Sequence, residues 1–77
     1  MSKINVLIAG STGYIGIQLV KILANHKNVK IKYLCGSSSI GKSISSYDKI
    51  LNKYKLPKVV KFNKIFLSNV DVVFTAL

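Results

Sequence analysis

The chain has 77 residues, enough for one domain at most, and its 49% hydrophobic and 18% charged residues are typical of a globular protein. No apolar run approaches the roughly 20 residues of a membrane span, so we expect no membrane association. The single cysteine excludes an internal disulfide and suits the cytoplasm. All 12 basic residues are lysines scattered along the chain, and the net charge of +10 lacks the clustered arginines of a nucleic-acid site. We therefore predict no nucleic-acid partner.

The first half of the chain is predicted to form a strand, a helix and a second strand. Residues 4–9 are a nearly continuous apolar run, which is typical of a strand buried on both faces of a parallel sheet. Residues 14–25 are predicted to be helical, and residues 29–34 alternate as a half-buried strand does. The apolar stripe predicted to face the core of the helix consists of Ile15, Leu19, Ile22 and Leu23.

The second half of the chain has weaker patterns. Residues 44–54 are ambiguous and could form a loose helix, after which Pro57 interrupts the chain. Residues 59–62 could form a short strand, and residues 64–69 one or two helical turns. Residues 70–75 are rich in β-branched side chains and predict a further strand.

Three glycines, Gly10, Gly13 and Gly16, separate the first strand from the helix. Gly10 permits a tight exit from the strand, Gly13 lets the backbone approach a pyrophosphate, and Gly16 lets the helix lie close to the sheet. The free N–H groups at the helix start would then face the anion. This context predicts an α/β fold, a partial Rossmann-type doubly wound parallel sheet that binds a dinucleotide. The alternative is a glycine-rich turn that serves packing only.

A second phosphate-binding pattern occurs at residues 36–43, which satisfy G-x-x-x-x-G-K-[ST]. In a P-loop, Lys42 would reach the terminal phosphates and Ser43 would hold Mg²⁺. The strand before it carries two lysines, the segment after it lacks a helical stripe, and Asp71 begins a strand where a Walker-B acid should end one. A P-loop nucleotide-binding module therefore stays an alternative, and a small basic binding protein without chemistry is a third.

The loop after the second strand holds no carboxylate. An NAD-specific domain places Asp or Glu about 20 residues past its glycine loop to bind the ribose 2′-OH. Here the hydroxyls of Ser37, Ser38 and Ser39 and the charge of Lys42 can receive a 2′-phosphate, which predicts NADP as the cofactor. Two carboxylates far apart in the sequence are too few for a metal site, so no metal is predicted.

Several segments resemble the N-terminal part of the N-acetyl-gamma-glutamyl-phosphate reductase family. The matching pieces are residues 6–16, the apolar helix positions, His26, the Ser-Ser-x-Gly-Lys stretch of residues 38–42, and residues 71–77. That stretch also explains how a P-loop pattern arises without P-loop function. The glycine loop is shared with aspartate-semialdehyde dehydrogenases, which are the alternative within the same class. Many family members carry an Arg where this chain has Ser37, and a hydroxyl binds a 2′-phosphate less firmly than a guanidinium.

The resemblance implies an NADPH-dependent reduction of N-acetyl-glutamyl phosphate to N-acetyl-glutamate semialdehyde with release of phosphate, a step of arginine biosynthesis. In this family a cysteine thiolate attacks the acyl phosphate, hydride from NADPH reduces the thioester, and a histidine handles the protons. Both residues lie in a later domain. We therefore predict no catalytic residue here, Cys35 included, and expect the fragment alone to be inactive and the full-length protein to be a homo-oligomer.

Residues 1–77 are expected to be the N-terminal part of an NAD(P)-binding domain, with the catalytic and dimerisation domain absent. Such a domain usually needs about 100–150 residues. The motifs and the resemblance together predict a set of cofactor-binding residues. They are Gly10, Ser11, Thr12, Gly13, Tyr14, Ile15, Gly16, Ser37, Ser38, Ser39, Lys42 and Ala76.

Overall fold

The computed structural model describes residues 3–37 and 40–76, so the predicted site residues Ser38 and Ser39 lie outside the described residues. The strands are β1 (Ile4–Ala9), β2 (Val29–Cys35), β3 (Val59–Val60) and β4 (Val72–Thr75), and the α-helix is α1 (Tyr14–Ala24). Three 3₁₀ helices occupy Ile44–Ser46, Lys49–Lys53 and Lys64–Asn69. Within the described ranges, no helix combines the length and the apolar character needed to cross a bilayer.

The four strands form one parallel sheet in the order β3-β2-β1-β4. The chain runs outward from β1 through β2 to β3 and then returns to place β4 on the other side of β1. The strand order therefore reverses beside β1, and the crevice at the carboxyl ends of the strands at such a switch point is where α/β sheets bind ligands. This topology confirms the predicted α/β fold of Rossmann type.

Both faces of β1 are covered at its centre, where Val6, Leu7 and Ile8 are buried, which explains the uninterrupted apolar sequence of this strand. On one face, α1 and the first two 3₁₀ helices pack against the strands. That core consists of Val6, Ile8, Ile17, Val20, Leu23, Ile31, Leu34, Ile44, Leu51 and Val59. On the other face lie the fully buried Leu7 and the stacked rings of Tyr33 and Phe66, whose centroids are 4.1 Å apart. Phe66 belongs to the 3₁₀ helix Lys64–Asn69, which therefore packs on this second face beside β2.

The buried face of α1 differs from the predicted one. Leu23 is buried as predicted and Leu19 partly so, but Ile15 and Ile22 are 67% and 66% exposed. The helix instead buries Gly16, Ile17, Val20 and Leu23. Apolar residues occur around most of the helix, so their spacing alone does not fix its rotation. The close approach of Gly16 to the loop before α1 decides which side faces the sheet.

The segment of residues 44–54 forms two 3₁₀ helices rather than the loose helix that the sequence suggested. Ile44 and Leu51 anchor the two turns in the core. Between them, the Asp48 carboxylate accepts a hydrogen bond from the Ile50 N–H at 3.1 Å and forms an ion pair with Lys21 of α1. The hydrogen bond from Lys21, and then that from Ile50, hold the pKa of Asp48 below its usual value. This irregular segment is thus tied to the helix by charge as well as by apolar packing.

Candidate functional site

A cleft of about 1000 Å³ lies at the carboxyl edge of the sheet. Ala9, Cys35 and Thr75, the last residues of β1, β2 and β4, all line it. Its volume is at the upper end of the range for small-molecule sites, which is about 300–1,000 Å³. The cleft therefore occupies the position at which the fold predicts a ligand.

The loop after β1 is held in place by one carbonyl group at the end of β2. The backbone N–H groups of Gly10 and Ser11 both donate to the Cys35 oxygen, at 2.9 and 3.1 Å, and the Ser11 hydroxyl donates to the same oxygen at 3.2 Å. Gly10 has a φ of 77°, a left-handed conformation that favours glycine. The tight exit predicted for Gly10 is therefore present, and the buried Ser11 fixes the loop rather than facing the cleft.

Gly16 lets the first turn of α1 approach this loop. A Cβ at Gly16 would lie 2.0 Å from the Gly10 oxygen and 2.8 Å from the Ser11 Cα. Both distances are too short for any side chain, so this position requires glycine. The predicted reason for this glycine was close packing of the helix on the sheet, and the structure shows that its nearest neighbour is the loop backbone. By contrast, a Cβ at the exposed Gly13 would lie 3.5 Å from the Gly10 oxygen, an ordinary contact distance.

The start of α1 is open to an anion. Gly13 is the N-cap and supplies no side-chain acceptor, and the first turn contains no acidic residue. Among the described residues, the N–H groups of Thr12, Tyr14 and Ile15 donate to no backbone acceptor outside the helix. Uncapped N–H groups at a helix N-terminus attract negative charge through both hydrogen bonding and the helix dipole.

The predicted site residues that the structure describes separate into two groups. Gly10, Thr12, Gly13, Ser37 and Ala76 line the cleft together. The others lie outside the lining: Ser11 is buried in the loop, Gly16 packs against it, Tyr14 and Ile15 have exposed side chains, and Lys42 is exposed.

The sequence reasoning missed several residues that line the cleft. Lys61 and Phe62 directly follow β3, Leu67 belongs to the 3₁₀ helix beyond it, and Val73 lies in β4. A signal for the first two existed, because residues just past a parallel strand lie at the same carboxyl edge as the glycine loop. The predicted strand of residues 59–62 placed Lys61 and Phe62 inside the strand, where this signal is lost.

The described end of the second phosphate-binding pattern, residues 40–43, does not lead into an α-helix as a P-loop does. The Gly41 N–H donates to the Val59 oxygen at 2.7 Å, and the Val59 N–H donates to the Lys42 oxygen at 2.9 Å. Ser43 precedes a 3₁₀ helix of three residues, and its hydroxyl is hydrogen-bonded to that of Ser45. The backbone of residues 41–42 thus pairs with β3, and no α-helix starts at Ser43.

Cys35 lines the cleft but is only 2% exposed. Burial raises the pKa of its thiol, which keeps the group protonated and poorly nucleophilic at neutral pH. Across the described part of the chain, no group of three or more His, Cys, Asp or Glu side chains could hold a metal ion.

Comparison with known protein families gives a match over nearly the whole chain. The family model described as the NAD-binding domain of semialdehyde dehydrogenases matches residues 5–77.

Individual relatives give matches of the same extent. The chain is 45% identical over 76 residues to N-acetyl-gamma-glutamyl-phosphate reductase from Ehrlichia ruminantium (strain Gardel), covering 97% of this chain and 22% of that protein. It is 37% identical over 73 residues to the enzyme of the same name from Cereibacter sphaeroides (strain ATCC 17025 / ATH 2.4.3), covering 95% of this chain and 21% of that protein. The chain thus spans about a fifth of the length of these relatives.

A solved structure has a similar fold. Aspartate semialdehyde dehydrogenase with NADP from Candida albicans matches with a TM-score of 0.76 and 28% sequence identity. The match covers 99% of this chain and 24% of that one.

Proposed function

Because this chain belongs to the family of semialdehyde dehydrogenase NAD-binding domains, we propose that it is the N-terminal part of the cofactor domain of an N-acetyl-gamma-glutamyl-phosphate reductase. The proposed reaction is the NADPH-dependent reduction of N-acetyl-glutamyl phosphate to N-acetyl-glutamate semialdehyde with release of phosphate. The identity of 45% over 97% of the chain supports this choice over other semialdehyde dehydrogenases. In this proposal the catalytic cysteine and histidine, and the dimerisation domain, come from sequence beyond these 77 residues.

The observation that carries the proposal is the open start of α1 beside the cleft. Gly10 turns the chain, Gly16 brings the helix close, and the uncapped N–H groups that follow have no acidic neighbour in their turn. A pyrophosphate fits this arrangement because it carries negative charge and accepts several hydrogen bonds. In the proposed site, the N–H groups of Thr12, Tyr14 and Ile15 bind the pyrophosphate. Gly13, whose own N–H donates to the Gly10 oxygen at 3.2 Å, allows the close approach because it has no side chain.

The proposed cofactor is NADP rather than NAD. Neither of the two carboxylates of this chain, Asp48 and Asp71, lines the cleft, so none of its own side chains repels a 2′-phosphate there. Ser37 lines the cleft just past the end of β2, and we assign it to the 2′-phosphate together with Ser38 and Ser39. Lys42, the cation that the sequence suggested for this role, does not line the cleft. The aspartate semialdehyde dehydrogenase of similar fold was solved with NADP.

The role of this chain in the reaction is to bind and orient the cofactor. The cofactor supplies a hydride when bound. Thr75 and Ala76, at the end of β4, line the part of the cleft beyond the glycine loop, and we assign them to the nicotinamide half. The side chains of Phe62, Leu67 and Val73 make much of the lining apolar, which keeps water away from the bound dinucleotide.

The test uses the parent protein expressed from its complete gene. The reaction is followed in reverse, as phosphate-dependent reduction of NADP⁺ with N-acetyl-glutamate semialdehyde, and in parallel with aspartate semialdehyde. We expect turnover with the first substrate and little with the second. Turnover with aspartate semialdehyde alone would instead establish the alternative enzyme. If the protein binds ATP and a Lys42→Ala variant does not, the alternative of a P-loop nucleotide-binding module would be favoured.

We also propose that the parent protein acts in the cytoplasm as a homo-oligomer and binds neither nucleic acid nor membrane. The reduced, buried Cys35 suits a reducing compartment, and the scattered lysines do not form the dense basic face of a nucleic-acid site. Size-exclusion chromatography with light scattering measures the mass of the assembly, and a monomer would contradict the proposal.

A further inference from the structure

Lys61 lies where the adenosine end of a dinucleotide would be bound. It follows Val60, the last residue of β3, which pairs with Cys35 at the end of β2. The Gly36 N–H donates to the Val60 oxygen at 3.0 Å, so the chain leaves β2 beside the point at which it leaves β3. Ser37 and Lys61 both line the cleft, and Lys61 is the one lysine among its described lining residues.

The charge of Lys61 has no acidic partner among the described residues. Only two acidic residues exist, and both are engaged elsewhere. Asp48 forms its ion pair with Lys21 on the α1 side of the sheet. Asp71 accepts the Asn5 N–H at 2.9 Å near the start of β1, at the opposite end of the strands from the cleft. Lys61 therefore adds to the lining of a largely apolar cleft a positive charge that neither aspartate neutralises.

Lys42, the cation that the sequence suggested, lies farther away. The Val59 N–H donates to the Lys42 oxygen, and the Val59 oxygen accepts from the Gly41 N–H. The Val60 oxygen instead accepts from the Gly36 N–H, just past β2. Successive residues of a strand direct their backbone groups to opposite edges, so Lys42 lies on the edge of β3 remote from β2. Its backbone is thus about 10 Å, two strand spacings, from β2.

We propose that Lys61 is the cation that binds the 2′-phosphate of NADP and thereby selects NADPH over NADH. In this fold the adenosine ribose is bound by residues past the end of β2, and Ser37 lies there while Lys61 follows the neighbouring end of β3. Phe62, the next residue, is 46% exposed and lines the same cleft, and an aromatic face is a stacking surface for adenine. This inference rests on the proposed function, since it requires that the cleft holds a dinucleotide.

The experiment compares three lysine variants of the parent protein: Lys61→Ala, Lys42→Ala and Lys30→Ala. Lys30 is an exposed lysine near the amino end of β2 and serves as the matched control for lost charge. Dissociation constants for NADPH and NADH are measured by fluorescence titration at low salt. Lys61→Ala should weaken NADPH binding about 10- to 100-fold, the worth of a charge-assisted contact, and leave NADH binding unchanged. Lys61→Arg should restore the preference, and Lys30→Ala should change neither constant.

Other results would overturn the assignment. An unchanged ratio of the two constants in Lys61→Ala would remove Lys61 from the site, and a loss of NADPH affinity confined to Lys42→Ala would transfer the role to Lys42. If the wild-type protein binds NADPH and NADH equally tightly, the cleft is still a dinucleotide site, but the proposal that Lys61 selects NADPH is wrong. A wild-type protein that binds neither would overturn the proposed function itself. Because Lys61 is exposed, its removal should leave the melting temperature unchanged, which separates lost binding from lost folding.

Discussion

Replacing Gly16 with alanine should destabilise the protein, although alanine is the better helix former. In a helix interior, Gly→Ala by itself stabilises by about 0.5–1 kcal/mol. Here the new Cβ would lie 2.0 Å from the Gly10 oxygen, and the next atoms met are the Ser11 Cα at 2.8 Å and the Gly10 carbonyl carbon at 2.9 Å. To reach ordinary contact at about 3.5 Å, the helix and loop must separate by about 1.5 Å.

All three obstructing atoms belong to the backbone, so no side-chain rotation relieves the clash. Overpacking of this kind typically costs about 1–3 kcal/mol, and once the helix-propensity gain is subtracted we expect a net loss of about 0.5–2 kcal/mol for Gly16→Ala. The free energy of unfolding in urea measures it, with Gln18→Ala, an exposed position on the same helix, as a control expected to stay within about 0.5 kcal/mol of the wild type. NADPH binding should weaken as well. A Gly16→Ala protein as stable as the wild type would refute the close approach of α1 to its loop.

Three further outcomes follow from the same geometry. Gly13→Val should reduce NADPH affinity by about 10- to 100-fold while destabilising less than Gly16→Ala, because a Cβ at Gly13 would lie at an ordinary 3.5 Å from the Gly10 oxygen. Unchanged affinity in a titration would exclude Gly13 from the site. The lowered pKa of Asp48 means that its pairing with Lys21 stabilises above the unfolded pKa and is lost as pH falls through the folded pKa. The melting-temperature difference between wild type and Asp48→Asn should therefore vanish in acid, and a difference that grows there would contradict the ion pair. The raised pKa of Cys35 predicts slow alkylation of the folded protein and fast alkylation in urea, measured by mass spectrometry of its peptide; equal rates would show that the thiol is exposed.

The parts of the fold that followed from the sequence are those in which one interaction dominates. The apolar run of β1 predicted a doubly covered strand, and the three glycines predicted the turn from β1 into α1. These features depend on local backbone conformation and on burial, both of which the residue types dictate. The rotation of α1 did not follow, because Ile15, Ile17, Val20 and Ile22 surround the helix and only the contact at Gly16 distinguishes the buried side.

The cleft itself was only half predictable. Its glycine loop has a sequence motif, whereas Lys61 and Phe62 enter it because β3 ends after two residues. The length of a strand depends on its partners, since the Val60 oxygen is used by Gly36 and the chain beyond diverges toward the 3₁₀ helix Lys64–Asn69. The sequence of residues 59–62 contains no pattern that predicts the end of β3 at Val60. The two 3₁₀ helices of residues 44–54 could not be predicted for a similar reason. Their conformation depends on Ile44 and Leu51, which pack in the core against residues distant in the sequence.

The carbonyl group of Cys35 accepts three hydrogen bonds from the glycine loop, and these bonds lower the conformational entropy that the loop would lose when a nucleotide binds. The loop after β1 and the end of β2 are joined at one oxygen atom, so the two segments are ordered together before any ligand arrives. The amide hydrogens of Gly10 and Ser11 should accordingly exchange with solvent as slowly as those of the sheet, whereas that of Thr12 exchanges quickly until an anion is bound. A nucleotide then meets a loop whose conformational entropy was lost during folding, and less of its binding free energy is spent on ordering the protein.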